Sequence, residues 1–136
     1  FPLAIGAKLA APERPVIYLG GDGAFAHAWS ELETVRRHKL KLLAIILNNE
    51  VLGYEQDYED AFFGKHSEVC HFTSVDHAAI ARACGWAGMR VDEPAALAGA
   101  ISAALAAPGP TLLDVISDPK AYPPISSFDG RLPEQV

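Results

Sequence analysis

Cysteine is scarce in this 136-residue chain, methionine scarcer, and positive charge is in deficit. Cys70 and Cys84 are too few and too far apart for a disulfide framework or a zinc site, and Cys84, within the alanine-rich stretch 78–84, reads as a small core residue. Lysine and arginine number 11 against 17 acidic residues, a formal charge of −6 that argues against a nucleic-acid surface and that ordinary solubility explains. No apolar run approaches bilayer length, and no basic segment precedes a signal-like core. The expectation is a soluble, cytoplasmic protein with neither membrane nor nucleic-acid partners. Internal repeats and low-complexity tracts are absent too. Met89 is the sole methionine, so a sequence opening Phe1-Pro2 is expected to be a piece of something longer.

What is present is a hydrophobic half, enough for one core, arranged as strands alternating with helices. Residues 3–11 are good helix formers that stop before Pro12 and Pro15, and read as the end of a helix. Residues 16–19 form a first strand. A helix then starts at Phe25 or Ser30, with Ala28, Leu32 and Val35 on one face and a capping box in Ser30 and Glu33. Arg36, Arg37, His38 and Lys39 crowd its end, where positive charge suits the helix dipole. Residues 42–47 are apolar on both faces, as in a central parallel strand.

Tyr54, Tyr58 and Phe62 share one helical stripe and either bury against the sheet or form a substrate-facing wall. Residues 73–84 predict a capped helix closed by Gly85, and 87–91 a short strand. Pro94 opens a helix, apolar nearly all round through Ala107, that is expected to be buried or to face a partner. Residues 111–116 make a last strand, and 118–136 an extended tail after a domain spanning 1–117. The fold class is α/β: a doubly wound, mainly parallel sheet with helices on both faces.

The chemistry concentrates at two strand ends. Gly20-Gly21-Asp22-Gly23-Ala24 follows the first strand and turns into a helix, a place suited to phosphate because glycine admits close backbone approach and the helix N-terminus favours anions. Asp22 would repel that phosphate unless a cation stands between them. One right-handed crossover later comes Asn48-Asn49, at the end of the second strand and on the same sheet edge. A carboxylate, an amide oxygen and a backbone carbonyl are hard ligands for Mg²⁺, Ca²⁺ or Mn²⁺ sharing phosphate oxygens and water. Two other readings stay open. Gly21-Asp22-Gly23-Ala24-Phe25-Ala26 also fits the loose Gly-x-Gly-x-x-Ala fingerprint of a dinucleotide oxidoreductase, with Glu50 pressed into service on the ribose. Asp22 could instead cap a helix while Asn48-Asn49 turns the chain, which explains each motif but not their pairing.

The pair Gly21-Asp22-Gly23 and Asn48-Asn49 resembles the signature of thiamine diphosphate enzymes. Residues 1–10, and 49–53 through Phe62-Phe63, are similar to acetolactate synthase and its relatives among the 2-oxo acid decarboxylases and carboligases. The resemblance implies a thiamine diphosphate-binding domain in which Asp22, the Asn49 side chain and the Val51 carbonyl hold the metal. It implies that Gly21, Gly23, Ala24, Leu52 and Gly53 border the cofactor, Gly23 and Ala24 through backbone amides. Tyr54, Tyr58 and His27 would lie on the substrate side. Acetolactate synthase usually has alanine at Gly23, methionine at Tyr54 and tryptophan at Tyr58, so a different donor or acceptor is implied. Many relatives carry a hydroxyl where Ala24 stands.

The family's activating glutamate lies on a separate pyrimidine-binding domain, so the resemblance implies no catalytic acid or base in this chain, inactivity in isolation, and a dimer or tetramer with that domain as partner. A non-catalytic assembly module of the same fold is a further alternative. His38, His66, His71 and His77 show no ligand spacing and read as surface or turn residues.

Overall fold

Leu43–Asn48 (β2) runs through the middle of the sheet, between Ile17–Gly21 (β1) and Thr111–Ile116 (β4), and Ala87–Val91 (β3) completes the order β1-β2-β4-β3. All three pairings are parallel. The structure, a computed structural model, describes residues 1–121. The extended tail expected over 118–136 lies outside the described residues from position 122 onward. Among the described residues there are six α-helices: Pro2–Ala10 (α1), Asp22–Ala26 (α2), Glu31–Arg37 (α3), Gly53–Phe63 (α4), His77–Ala83 (α5) and Leu97–Ala106 (α6). No helix among the described residues is long and apolar enough to cross a membrane.

The strand order decides where the helices go. The steps from β1 to β2 and from β2 to β3 run in one direction across the sheet, whereas β3 to β4 runs back. Right-handed crossovers therefore put α2, α3 and α5 on one face and α6 on the other. The alternation of side chains along β2 and β4 serves both layers. Ala44, Ile46 and Leu112 join Ile5, Phe25, Leu32, Val35, Ala81 and Trp86 in one cluster, while Leu43, Leu113 and Val115 join Val91, Ala100 and Ala104 in the other. Trp86 fixes the first cluster by donating its indole N–H to the Leu32 carbonyl at 2.9 Å. The doubly wound parallel sheet is as expected.

Several local readings need correction. The helix after β1 has no single start: it is two short helices broken over 27–30, and each buries a large side chain fully, Phe25 in the first and Leu32 in the second. Ser30 is itself helical in φ and ψ and makes no side-chain cap, so the capping box does not form. α5 begins at His77 rather than Thr73, capped by Asp76, whose carboxylate accepts from the Ala79 amide at 2.7 Å. Gly85 ends it with φ +80°, the left-handed turn predicted for it. Pro94 opens a 3₁₀ turn, α6 starts only at Leu97, and that helix buries Ala100 and Ala104 while Leu105 stays exposed. The aromatic stripe of α4 does not pack on the sheet: Tyr54, Tyr58, Phe62 and Phe63 are exposed, and only Gly53 of that helix is buried. Cys84 is partly buried against the first cluster.

Candidate cofactor site

The parallel register sets Gly21 beside Leu47, so the residues that follow each strand emerge at one edge of the sheet. There α2 begins directly at Asp22, with no linker after β1. The Asp22 carboxylate, only 6% exposed, accepts from the Gly23 amide through Oδ1 and from the Glu50 amide through Oδ2, both at 2.9 Å. The second bond ties the loop after β2 to the loop after β1. It needs Glu50 in the left-handed region, φ +60°, a conformation that costs a side-chain-bearing residue about 1–2 kcal/mol. Asn49 faces the same space and accepts from the Val51 amide at 3.3 Å.

A cleft of about 390 Å³ opens at this edge, lined by Gly21, Asp22, Gly23, Ala24, Leu47, Asn49, Val51, Leu52, Gly53, Tyr54 and Glu55. Every residue that the resemblance assigned to cofactor or metal lies on it, and Asp22 and Asn49 do not face apart. His27 is exposed and Tyr58 stacks on Phe62 with ring centroids 4.4 Å apart; neither lines the cleft. Gly23 keeps its place for a steric reason: a Cβ there would stand 2.9 Å from the Phe72 ring and 3.1 Å from Leu52. Gly23's amide is already spent on Asp22, which leaves Ala24's as the next donor in the first turn of α2.

The two asparagines part company. Asn49 turns to the cleft, whereas Asn48 is buried and donates through Nδ2 to the Val75 carbonyl at 3.0 Å and to Asp114 Oδ1 at 2.9 Å. Asp114, fully buried, also accepts from the His77 amide at 3.1 Å and pairs with Arg90 at 3.4 Å. This latch joins β2, β4, β3 and the start of α5 behind the cleft. An acidic residue in the otherwise apolar strand Thr111–Ile116 was the sequence signal for it. His77, expected at the surface, is 2% exposed beside the rings of Phe25 and Trp29, each centroid 5.7 Å away. Burial pushes its imidazole below the ordinary 6.5, against the opposing pull of Asp114, Asp22 and Asp76. His66 and His71, expected to be unrelated, stand side by side with Nε2 atoms 3.1 Å apart. Phe72 and the backbone of Glu50 gave no signal that local sequence patterning could detect.

The donor set fits a hard cation. Among the described residues no lysine, arginine or histidine forms an ion pair with Asp22, so a nearly buried carboxylate stands without a compensating positive charge beside an amide oxygen. Each carboxylate oxygen has a second lone pair beyond the amide it accepts. No three His, Cys, Asp or Glu side chains converge among the described residues.

A parallel α/β sheet with a cleft at adjoining strand ends has the architecture of a cofactor-binding domain of the doubly wound class. The chain belongs to the thiamine pyrophosphate enzyme family: the family profile described as "Thiamine pyrophosphate enzyme, C-terminal TPP binding domain" matches residues 1–115. It is 37% identical over 123 residues to the acetolactate synthase large subunit of Mycobacterium tuberculosis, covering 88% of this chain and 22% of that protein. It is 38% identical over 92 residues to the sulfoacetaldehyde acetyltransferase of Castellaniella defragrans, covering 68% of this chain and 15% of that one. Among solved structures, the thiamine diphosphate-dependent 4-hydroxybenzoylformate decarboxylase of Rhodococcus jostii RHA1 superposes with a TM-score of 0.82 at 30% identity, over 87% of this chain and 22% of that chain. The chain thus spans about a fifth of the length of the curated relatives it matches. The dinucleotide-binding reading is not favoured by these findings.

Proposed function

We propose that this chain is the diphosphate-and-metal half of an acetolactate synthase-like enzyme that acts on 2-oxo acids. The observation that carries the reading is the buried Asp22, which no basic side chain among the described residues neutralises, sharing one cleft with Asn49 and Val51. Asp22, the Asn49 amide oxygen and the Val51 carbonyl would hold Mg²⁺, with Ca²⁺ or Mn²⁺ as substitutes. The bridge between Val51 and His71 is made by the Leu52 amide and the Glu50 carbonyl, and does not consume the Val51 carbonyl. Ala24's amide would reach a phosphate oxygen, and Gly53 and Leu52 would border the cofactor. Thiamine diphosphate supplies the electron sink for loss of CO₂ or for carboligation when bound. This chain's residues bind and orient it, while Tyr54 at the rim meets the substrate side. Proton transfer to the cofactor is assigned to the pyrimidine-binding domain, so the chain alone is inactive and the working enzyme is a dimer or tetramer that includes that domain.

Calorimetric titration with thiamine diphosphate and Mg²⁺, in the presence of the pyrimidine-binding domain, tests this. Metal-dependent binding that Asp22→Asn abolishes is the expected result. Binding that ignores both the metal and that substitution would favour a non-catalytic module, and no binding at all would sink the proposal.

A further inference from the structure

Next to the loop that borders the cleft, the chain builds a second constellation that this function does not use. His66 follows the left-handed turn at Gly64 that ends α4, and His71 lies in the strand-like segment that pairs with Val51. Their Nε2 atoms are 3.1 Å apart, with ring planes at 60° and centroids at 5.2 Å. Behind His66, the Asp60 carboxylate receives the Nδ1–H across both oxygens, at 2.9 and 3.0 Å. That bond sets the tautomer: with the proton on Nδ1, the His66 Nε2 carries a lone pair aimed at His71.

We propose that His66 and His71 form a two-histidine site for a first-row transition ion such as Zn²⁺ or Cu²⁺, oriented from behind by Asp60. Two metal–nitrogen bonds of about 2.05 Å at the tetrahedral angle put the nitrogens roughly 3.3 Å apart, and a right angle puts them about 2.9 Å apart. The observed separation falls between the two. A carboxylate on the far nitrogen of a ligating imidazole is the usual outer partner of such sites, where it orients the ring and raises its basicity. The ligand type separates this site from the first: imidazole selects Zn²⁺ and Cu²⁺, whereas the oxygen set around Asp22 selects Mg²⁺. No third His, Cys, Asp or Glu converges there among the described residues, so the remaining positions belong to water or to an added ligand.

Hydrogen bonds fix the segments that carry the two rings. The Leu52 amide donates to the Cys70 carbonyl and the Phe72 amide to the Glu50 carbonyl, each at 2.8 Å, which clamps His71 to the loop bordering the cofactor cleft. On the other side, the Ser67 amide donates to Glu59 of α4 at 2.6 Å. An ion between the two rings therefore ties the end of α4 to the Val51 loop.

The experiment is a titration of the full chain with Zn²⁺, and separately with Cu²⁺, in excess Mg²⁺ so that the oxygen site is filled throughout. One ion binds, and the Cu²⁺ spectrum shows hyperfine coupling to two imidazole nitrogens. His66→Ala and His71→Ala each lower affinity at least tenfold. Asp60→Asn, which leaves both ligands in place, lowers it roughly tenfold or more. His38→Ala, on an exposed histidine outside the pair, leaves it unchanged. Circular dichroism confirms that each variant is folded. The proposal is overturned if the double variant His66→Ala/His71→Ala binds as tightly as the parent, if His38→Ala costs as much, or if Asp60→Asn has no effect. None of these outcomes depends on thiamine diphosphate, so failure here leaves the Asp22 reading standing, and the reverse.

Discussion

Gly23 and His77 show how much a single side chain decides near the cleft. At Gly23 the limiting contact is Phe72, with Leu52 next, so Gly23→Ala must displace the Phe72 ring. Overpacking of this kind costs about 1–2 kcal/mol. Urea denaturation should show that loss, and Phe72→Leu in the same background should restore most of it; an alanine variant as stable as the parent would refute the steric account. At His77, burial lowers the pKa and the Nδ1 atom finds no hydrogen-bond partner among the described residues. The native state therefore keeps the ring neutral, while the unfolded chain takes up a proton below the ordinary 6.5. His77 thus favours the folded state fully above that value, and its contribution falls as pH drops from 6.5 toward the lowered native value, by up to about 1.4 kcal/mol per pH unit. His77→Phe, placed between Phe25 and Trp29, should flatten this slope in denaturation curves between pH 7 and 5 and raise stability at pH 7. A slope unchanged by the substitution would assign it to other groups.

At the scale of elements, α5 lies directly against β3. A Cβ at Gly88 would collide with the Ala78 carbonyl, and backbone cannot swing aside as a side chain can. Gly88→Ala is expected to cost about 3 kcal/mol or more, read as a lower urea midpoint or as loss of the folded state. Gly99 is the internal contrast: it sits exposed within α6 and a Cβ there meets nothing within 4 Å. Gly99→Ala should stabilise by about 0.5–1 kcal/mol, since alanine loses less backbone entropy in a helix. If both substitutions moved the midpoint in the same direction, close packing of α5 would not be the reason for Gly88. The α4 helix follows different logic. It buries almost nothing of its own, it carries exposed aromatics, and its position comes from the loop that the Asp22 carboxylate and the backbone of segment 70–72 hold by hydrogen bonds.

For the molecule as a whole, binding at the cleft and stability are linked, because the site requires two loops that only the folded sheet brings together. If thiamine diphosphate and Mg²⁺ bind there, a free concentration a hundredfold above Kd should add about 2.7 kcal/mol to unfolding, and Asp22→Asn should remove that gain. Thermal melts with and without the pair measure it; a shift retained by the variant would locate binding elsewhere. The alternation of apolar strands with helical segments, the glycine turn at 20–23 and the Asn48-Asn49 stop are local in the chain, so periodicity and turn chemistry were enough to read the α/β class and the two motifs that meet at the cleft. Contacts between distant residues left no such trace. The division of labour between Asn48 and Asn49, the burial of His77 and the collision guarded by Gly23 and Gly88 depend on which elements pack together. The sequence determined which segments become strands and helices because those preferences act over a few neighbouring residues. Only the tertiary structure decided which polar groups are buried, paired or presented, because that follows from neighbours supplied by other parts of the chain.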